Sequence, residues 1–415
     1  MRSRLPALPS RGSWSAAGVV GVAVALLGGA VGSQAPAVTV DQSYWIPVND
    51  KVVVRGHGYG HGHGMSQYGA YGAARQGLSA DQIVGFYYPG TTLSQARGRI
   101  RVLISADTTD DVVVSPVAGL RVRDRGARTT YPLPTPDGVT RWRATLDGGS
   151  PVLDYLVGSS WTRWLPDGVP ALAGDLQFQA GRTPLTLWTP QGERVYRGKL
   201  RAASPTPGST RRDTVNVVRL DDYIRGVLPA EMPPGWAPEA VKAQALAART
   251  YAAWSRARAK KRYYQVCDTT ACQVYAGADA EHPLADAAVA ATSRQVLAWD
   301  GAPAFTQFSS SSGGWTAAGS VPYLPAQVDP YDAHDANPNN TWSVTLDVGR
   351  LERAYPALGE LRRIRVTARD GNGDWSGRVT ALQLDGTRAD RTLTGDSFRW
   401  AFGLRSTWFT IDPPR

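Results

Sequence analysis

DDYIRGVLPAEMPPGWAPEAVKAQALAARTYAAWSRARAKKR, residues 221–262, decides the fold. Its second part is rich in alanine and free of glycine after Gly235. Pro238 and Glu239 suit a first helical turn and the positive end of a helix. The run predicts a helix over 238–260. Val241, Ala245, Ala248 and Ala252 fall on one face, and Ala243, Leu246, Ala247, Thr250 and Trp254 on a neighbouring one. So much alanine implies a helix buried on most sides. Ahead of it lies LPAEMPPGW, residues 228–236, a stiff segment with three prolines. Met232 and Trp236 give Glu231 an apolar wall. A carboxyl group against apolar surface has a raised pKa and can act as a general acid. The N-terminus of the following helix pulls the other way, and a capping or exposed glutamate is the alternative.

Outward from this stretch the chain is mostly strand. TVNVVRL (214–220) precedes it. Residues 97–213 alternate apolar and polar positions in RIRVLIS, DVVVSPV, LRVRD, RWRATL, LTLWTP and RVYRGKLRA, with Gly, Asp and Pro turns between them. Ser204-Pro205-Thr206-Pro207-Gly208 is a breaker cluster. A second helix is predicted over 283–291, then strands at QVLAWDG and AFTQFSSSSGG. The C-terminal part, through RRIRVTARD, LTGDSFRWAFG and STWFTI, reads as strand and turn. Residues 38–96 form a Gly- and Tyr-rich unit. The class is α+β, divided as 1–37, 38–96, 97–213 and 214–415.

Composition narrows the location more than the chemistry. The net charge is +10, but only five of the basic residues are lysines (Lys51, Lys199, Lys242, Lys260 and Lys261). An arginine-, alanine- and glycine-heavy chain reflects genome composition in part, and no nucleic-acid-binding motif accompanies the charge. Trp (14) and Tyr (17) outnumber Phe (7), and rings with a polar edge suit both sugar-holding surfaces and ordinary cores. Arg2, Arg4 and Arg11, the apolar run 16–31 and Ala35-Pro36-Ala37 read as a secretion signal. An uncleaved anchor is the alternative, although a full span needs roughly 20 apolar residues. In an exported protein the close pair Cys267 and Cys272 reads first as a disulfide. A metal site is the rival and would need two further ligands.

Other candidates are weaker. Gln244, Arg249 and Tyr251 stand among the helix alanines, where they either bind substrate or tie the fold together. RGHGYGHGHGMSQYGAYGAARQG (55–77) offers His57, His61 and His63 in a Gly/His alternation known from metal tracts. It lacks an acidic cluster, and dense glycine more often marks close backbone approach. FSSSSGGWT (308–316) lacks the Gly-x-Ser-x-Gly elbow of a serine hydrolase.

The sequence resembles the SpoIID/LytB family, the stage II sporulation protein D and amidase-enhancer group. DDYIRGVLPAEMPPGWAPEAVKAQALAARTYA resembles the family's core block, CDTTACQVYAG the next, FSSSSGGWT with PYLPAQVDPYD the third, and FRWAFGLRSTWFTI the fourth. YGHGHGMSQYGAYGAARQGLSADQIVGFYYPGTTL resembles the block that usually closes the domain. Here it stands at 56–93, ahead of the others, as in a circular permutation. Such a rearrangement requires residues 56–75 to pack beside Glu231 and the C-terminal strands.

The resemblance implies a β-rich SpoIID-like catalytic domain with one long Ala-rich helix, plus a β-rich subdomain. It implies a secreted cell-wall protein that cleaves peptidoglycan between N-acetylmuramic acid and N-acetylglucosamine as a lytic transglycosylase, preferring strands without stem peptides. Glu231 matches the family's catalytic glutamate. His61, Ser66, Gln67, Gln244, Arg249, Tyr251 and Ser311 fall on its blocks as substrate-binding candidates, with Arg249 facing the lactyl carboxylate. Some members are thought to carry zinc near the cysteine block. Here Ala271 stands where a histidine ligand would, so no metal or other cofactor is expected. The implied partners are glycan strands and a cell-wall amidase, with no nucleic acid, and with the membrane reached only through an uncleaved signal. The alternative function is a non-catalytic peptidoglycan-binding enhancer of an N-acetylmuramoyl-L-alanine amidase.

Overall fold

In the computed structural model, residues 37–47 and 51–412 are described, so the secretion-signal reading of 1–37 lies almost wholly outside them. Seven α-helices and six sheets fill the described residues: α1 Gln67–Arg75, α2 Ala80–Tyr87, α3 Leu220–Glu231, α4 Pro238–Arg258, α5 Pro283–Ala291, α6 Val348–Ala354 and α7 Gly395–Phe402. No helix among the described residues is long and apolar enough to cross a membrane.

The predicted Ala-rich helix is α4. Pro238 and Glu239 start it, and Arg256 and Arg258 occupy the last turn, where cations favour the negative helix end. Ala243, Ala245, Leu246, Ala247, Ala248 and Ala252 are fully buried. Alanine leaves little bulk between backbones, and α1, α2, α3, α5 and the strand Gln295–Trp299 all pack on α4. Leu246 is its large apolar anchor, and truncating such a side chain to alanine costs about 2–5 kcal/mol.

The β-rich region forms two sheets. The six-stranded sheet lies wholly within residues 112–196. The seven-stranded sheet crosses position 213: Asp213–Arg219 pairs with Lys199–Ala203 on one side and Arg99–Leu103 on the other. Val266–Cys267 then adds to Arg99–Leu103 in parallel. This edge carries the chain from α4 to the cysteine segment.

Residues 38–96 are spread through the rest of the molecule. Val38–Trp45 pairs with Leu361–Arg369. Lys51–His57 lies between Thr341–Asp347 and Phe409–Ile411, burying Val52 and Val54 in a second core with Phe398, Phe402 and Phe409. Met65–Ser66 pairs with Phe308–Ser309. Thr92–Gln95 pairs with Gln295–Trp299. Residues 56–75 therefore pack against both α4 and the C-terminal strands.

Several elements differ from the sequence expectation. LTGDSFRWAFG forms α7, capped by Thr394, which accepts from the Ser397 N–H. The Gly-rich block contains α1 and α2. Ser66 caps α1 by accepting from the Gly69 N–H, and Ser79 with Gln82 forms a capping box on α2. AFTQFSSSSGG is mostly irregular, with only Phe308–Ser309 in a strand. Asp221 and Asp222 occupy the first turn of α3, where acidic groups favour the helix dipole.

Candidate functional site

Glu231 is the last residue of α3 and does not lie in a loop ahead of α4. Pro229 removes one backbone donor from that final turn. The following chain turns away in extended conformation at Met232, which is buried. Glu231 thus sits at the negative end of its own helix, and the expected opposing pull of a helix N-terminus gives way to this placement. Its carboxyl group is held above the ordinary carboxylate range by burial, with the Val274 N–H pulling it partly back.

Two parts of the chain fix this residue. Gln67 Nε2 donates to the Glu231 backbone carbonyl at 2.8 Å. Val274 N donates to Glu231 Oε1 at 3.1 Å. The cysteine segment that carries Val274 is itself braced. Gln273 accepts from the Tyr223 hydroxyl of α3 and donates to the Ala248 carbonyl of α4. Cys267 and Cys272 are joined in a disulfide, and Tyr275 donates to Asn216 Oδ1.

Glu231 opens into a cleft of about 420 Å³. The cysteine segment, Tyr251 of α4, the loop at 307–310, the Gly/His tract and α7 all contribute to its walls. Among the described residues lining this cleft, Glu231 is the only carboxylate. Trp400 (73 % exposed) and Tyr59 (46 % exposed) give it open aromatic faces.

The Gly/His tract owes its composition to backbone shape. Gly58, Gly60, Gly62 and Gly64 all have positive φ, so every second residue is left-handed. A side chain at Gly60 would meet Ser309 Cβ at 2.4 Å, and one at Gly64 the Gln307 carbonyl at 2.2 Å. The tract thus runs close against its own chain. Its histidines diverge: His57 lies against Trp375 and Trp408, whereas His61 and His63 stack on each other at 5.0 Å. Burial, then His63, pushes His61 down to about 3, so it is a neutral imidazole. Its Nδ1 accepts from the His63 N–H at 2.9 Å.

The structure separates the substrate-binding candidates. His61 and Tyr251 line the cleft with Glu231. Gln67 reaches Glu231 through the backbone. Arg249 is fully buried and pairs with Asp221 at 2.7 Å while donating to Thr292 and the Val289 carbonyl, so it braces α3, α4 and α5 and does not face a lactyl group. Ser66 and Ser311 are buried, and both donate to Asp332, so they tie loops together and do not touch the cleft. Gln244 is fully buried, and its amide has no hydrogen-bond partner among the described residues. The sequence reading missed Tyr59, Arg399 and Trp400, which line the cleft, and Asp329 and Asp332, which anchor it. Asp329 accepts from Tyr87 and Ser312, and burial followed by Asp332 raises it to about 7. The YGHGHGMSQ, FRWAFG and PYLPAQVDPYD motifs held these residues, but nothing in their spacing marked which side chains turn inward.

An α+β protein whose cleft joins two hydrophobic cores around one acid is the class these features define. Comparison with known proteins shows what the chain is similar to. The family model for Stage II sporulation protein (SpoIID) matches residues 208–299, which include α3, Glu231 and α4. The chain is 39 % identical over 135 residues to the amidase enhancer of Bacillus subtilis, spanning 31 % of this chain and 17 % of that protein. It is 31 % identical over 225 residues to stage II sporulation protein D of Bacillus amyloliquefaciens, spanning 48 % of this chain and 62 % of that protein. It is 40 % identical over 117 residues to an uncharacterized protein of Brachyspira hyodysenteriae, spanning 26 % of this chain and 32 % of that protein. The chain thus spans less than two thirds of each of these relatives. Over these stretches the chain is similar to proteins of the SpoIID/LytB family.

Proposed function

We propose that this protein acts at the bacterial cell wall, outside the cytoplasm, as a peptidoglycan lytic transglycosylase with Glu231 as its acid/base. The observation that carries this reading is the single, partly buried carboxyl group in an aromatic-rimmed cleft. Ordinary glycosidases use two carboxyl groups, one as acid and one to activate water or attack the sugar. A lytic enzyme needs one. Glu231 gives its proton to the glycosidic oxygen as the bond from muramic C1 to that oxygen breaks. The muramic C6 hydroxyl oxygen bonds to C1, and its proton returns to Glu231. A 1,6-anhydro ring and a free hydroxyl result, with no water consumed. A carboxyl group kept protonated by burial suits the first half of this cycle.

His61, as a neutral ring in the cleft, and Tyr251 are positioned to contact the sugar. Ser66, Gln67, Arg249 and Ser311 support the walls. The same reading takes 38–96 as the closing part of the fold moved to the front of the chain. The pairing of Lys51–His57 with both Thr341–Asp347 and Phe409–Ile411 supports it.

Glu231→Gln tests the catalytic role. It preserves size and the Val274 hydrogen bond but cannot cycle a proton. Cleavage of peptide-free strands should fall at least 1000-fold with strand binding retained. Unchanged cleavage would remove Glu231 from the mechanism. The amidase-enhancer reading rests on the Bacillus subtilis relative of that name. It requires stimulation of an added N-acetylmuramoyl-L-alanine amidase by wild type and by Glu231→Gln alike, with no glycan cleavage by either.

A further inference from the structure

The charge of +10 is not spread evenly over the molecule. On the seven-stranded sheet, Ile100, Val102, Val122, Phe178, Leu200 and Val218 point into the main core. Side chains alternate along a strand, so the residues between them share the opposite face. The register sets basic groups in rows across that face. Arg101, Lys199 and Arg121 stand in one row, through Val217 and Gln179. Arg201 and Arg123 stand in the next, through Gln177. Arg99 and Arg219 lie directly opposite each other, an arrangement that destabilises a sheet when the charges are alike. The segment 259–265 after α4 lies on the same face. Tyr263 and Tyr264 cover Val215 and Val217, and Arg101 donates to the Lys260, Arg262 and Tyr263 carbonyls. This segment adds Lys260, Lys261 and Arg262, all exposed.

Carboxylates do not offset this array. Among the described residues, the one ion pair that these side chains form joins Arg219 to Asp222 at 4.0 Å. Asp213 and Asp175 reach the face, where they accept from the Tyr263 and Ser204 hydroxyls. Burial, then Arg99, Arg123, Arg125 and Arg201, holds Lys199 below its ordinary value. At Arg99 and Arg219 the face ends in a pocket of about 210 Å³, with Arg97 and Arg294 in its other walls. Its carboxylate, Asp221, is engaged by Arg249 and Ser293. Guanidinium forks match phosphate oxygens through paired hydrogen bonds. An array in rows suits many anions carried on one chain, and such a chain relieves the repulsion within it. Among the described residues, no exposed large apolar side chain lies on these strands or on 259–265, so the face offers lipid nothing to insert. Arg219 precedes α3 and Glu231 ends it. At about 1.5 Å per residue, the 12-residue helix puts about 18 Å between the pocket and the acid.

We propose that this basic face of the seven-stranded sheet binds a phosphodiester-linked anionic polymer of the wall, and so holds the protein in place while the Glu231 cleft stays open. The inference rests on the cell-wall reading for the source of the polymer. The charge array itself is independent of the lytic chemistry.

The full chain is titrated calorimetrically with poly(glycerol phosphate) across a salt series. Saturable binding that weakens as salt rises is expected. Brief acetylation with and without the polymer maps the contact on the wild-type protein. Lys199, Lys260 and Lys261 should be protected, while Lys51 and Lys242 react as before. Arg99→Gln, Arg121→Gln, Arg123→Gln and Lys199→Gln together should weaken binding about tenfold and flatten its salt dependence. Cleavage of peptide-free strands by that variant should be unchanged. Arg353→Gln, Arg362→Gln, Arg388→Gln and Arg391→Gln together remove the same charge from exposed positions around the second core. That variant should bind as wild type does. Equal loss in both variants, or equal protection of every lysine, would overturn the proposal, because net charge alone would then account for binding. Tighter binding to phosphatidylglycerol vesicles at equal phosphate would overturn it in favour of the membrane. No polymer binding by a protein that cleaves glycan would remove this inference alone. Polymer binding by a protein that cleaves nothing would leave it standing and remove only the lytic chemistry.

Discussion

Gln67 and Glu231 are 164 residues apart in sequence, and the Gln67 side-chain amide holds the Glu231 backbone carbonyl at 2.8 Å. The Gly-rich N-terminal block thereby reaches the residue on which the proposed chemistry rests. Gln67 lies in the first turn of α1, and α1 packs on α4. Gln67→Leu removes the donor and leaves a partly buried carbonyl unmet. The expected loss is about 1 kcal/mol of stability. Cleavage should fall more than tenfold in kcat with KM little changed, because the acid loses its aim and the walls remain. Thermal melts and steady-state kinetics check the two parts.

The raised pKa of Glu231 links stability to pH. The folded protein holds the proton above 4.5, the ordinary value, whereas the unfolded chain releases it there. Between that value and the raised one the native state binds more protons, so rising pH costs stability. Glu231→Gln has no such term. Its melting temperature relative to wild type should climb as pH rises through that window and stay flat below it. A difference independent of pH would contradict the burial argument. The cleavage profile of wild type should lose its alkaline limb as the acid deprotonates.

Arg249 is predicted to matter for folding. Its guanidinium is fully buried and ion-paired to Asp221, and removing one member of a buried pair typically costs 3–5 kcal/mol. Arg249→Gln should lower the melting temperature sharply. At temperatures where the variant stays folded, its KM should match wild type. A raised KM in a protein of unchanged stability would return Arg249 to the substrate.

The disulfide between Cys267 and Cys272 closes a short loop beside the cleft. Chain-entropy reasoning gives about 2 kcal/mol for a loop of this size. Reduction, or Cys267→Ser with Cys272→Ser, should lower stability by about that amount. It should also loosen the Val274 N–H that meets Glu231, lowering kcat beyond what the stability loss explains. Activity unchanged by reductant would uncouple the loop from the site.

The sequence showed some of this directly and hid the rest for definable reasons. The Ala-rich run named α4, because small residues without glycine leave few other structures open. Pro283 marked α5. The apolar surroundings of Glu231 were legible in LPAEMPPGW, but α3 was not, since Pro229 and Gly226 are poor helix formers. Ser66 and Ser79 were cap signals passed over in a stretch dominated by glycine. The alternation of Gly and His suggested close approach, and left-handed backbone against Ser309 is what it builds. Arg249 could not be separated from Arg399 by residue type. One faces Asp221 inside the helix bundle, and the other reaches the cleft from a different core. Only the long-range pairing of the chain decides between them.

The most direct test of the central claim is cleavage of peptide-free glycan strands in ¹⁸O-labelled water, with products read by mass spectrometry. The lytic account predicts 1,6-anhydro-muramic ends without ¹⁸O, formed by wild type and not by Glu231→Gln. Reducing muramic ends carrying ¹⁸O from the first moments of reaction would contradict it, because water would then be the attacking group.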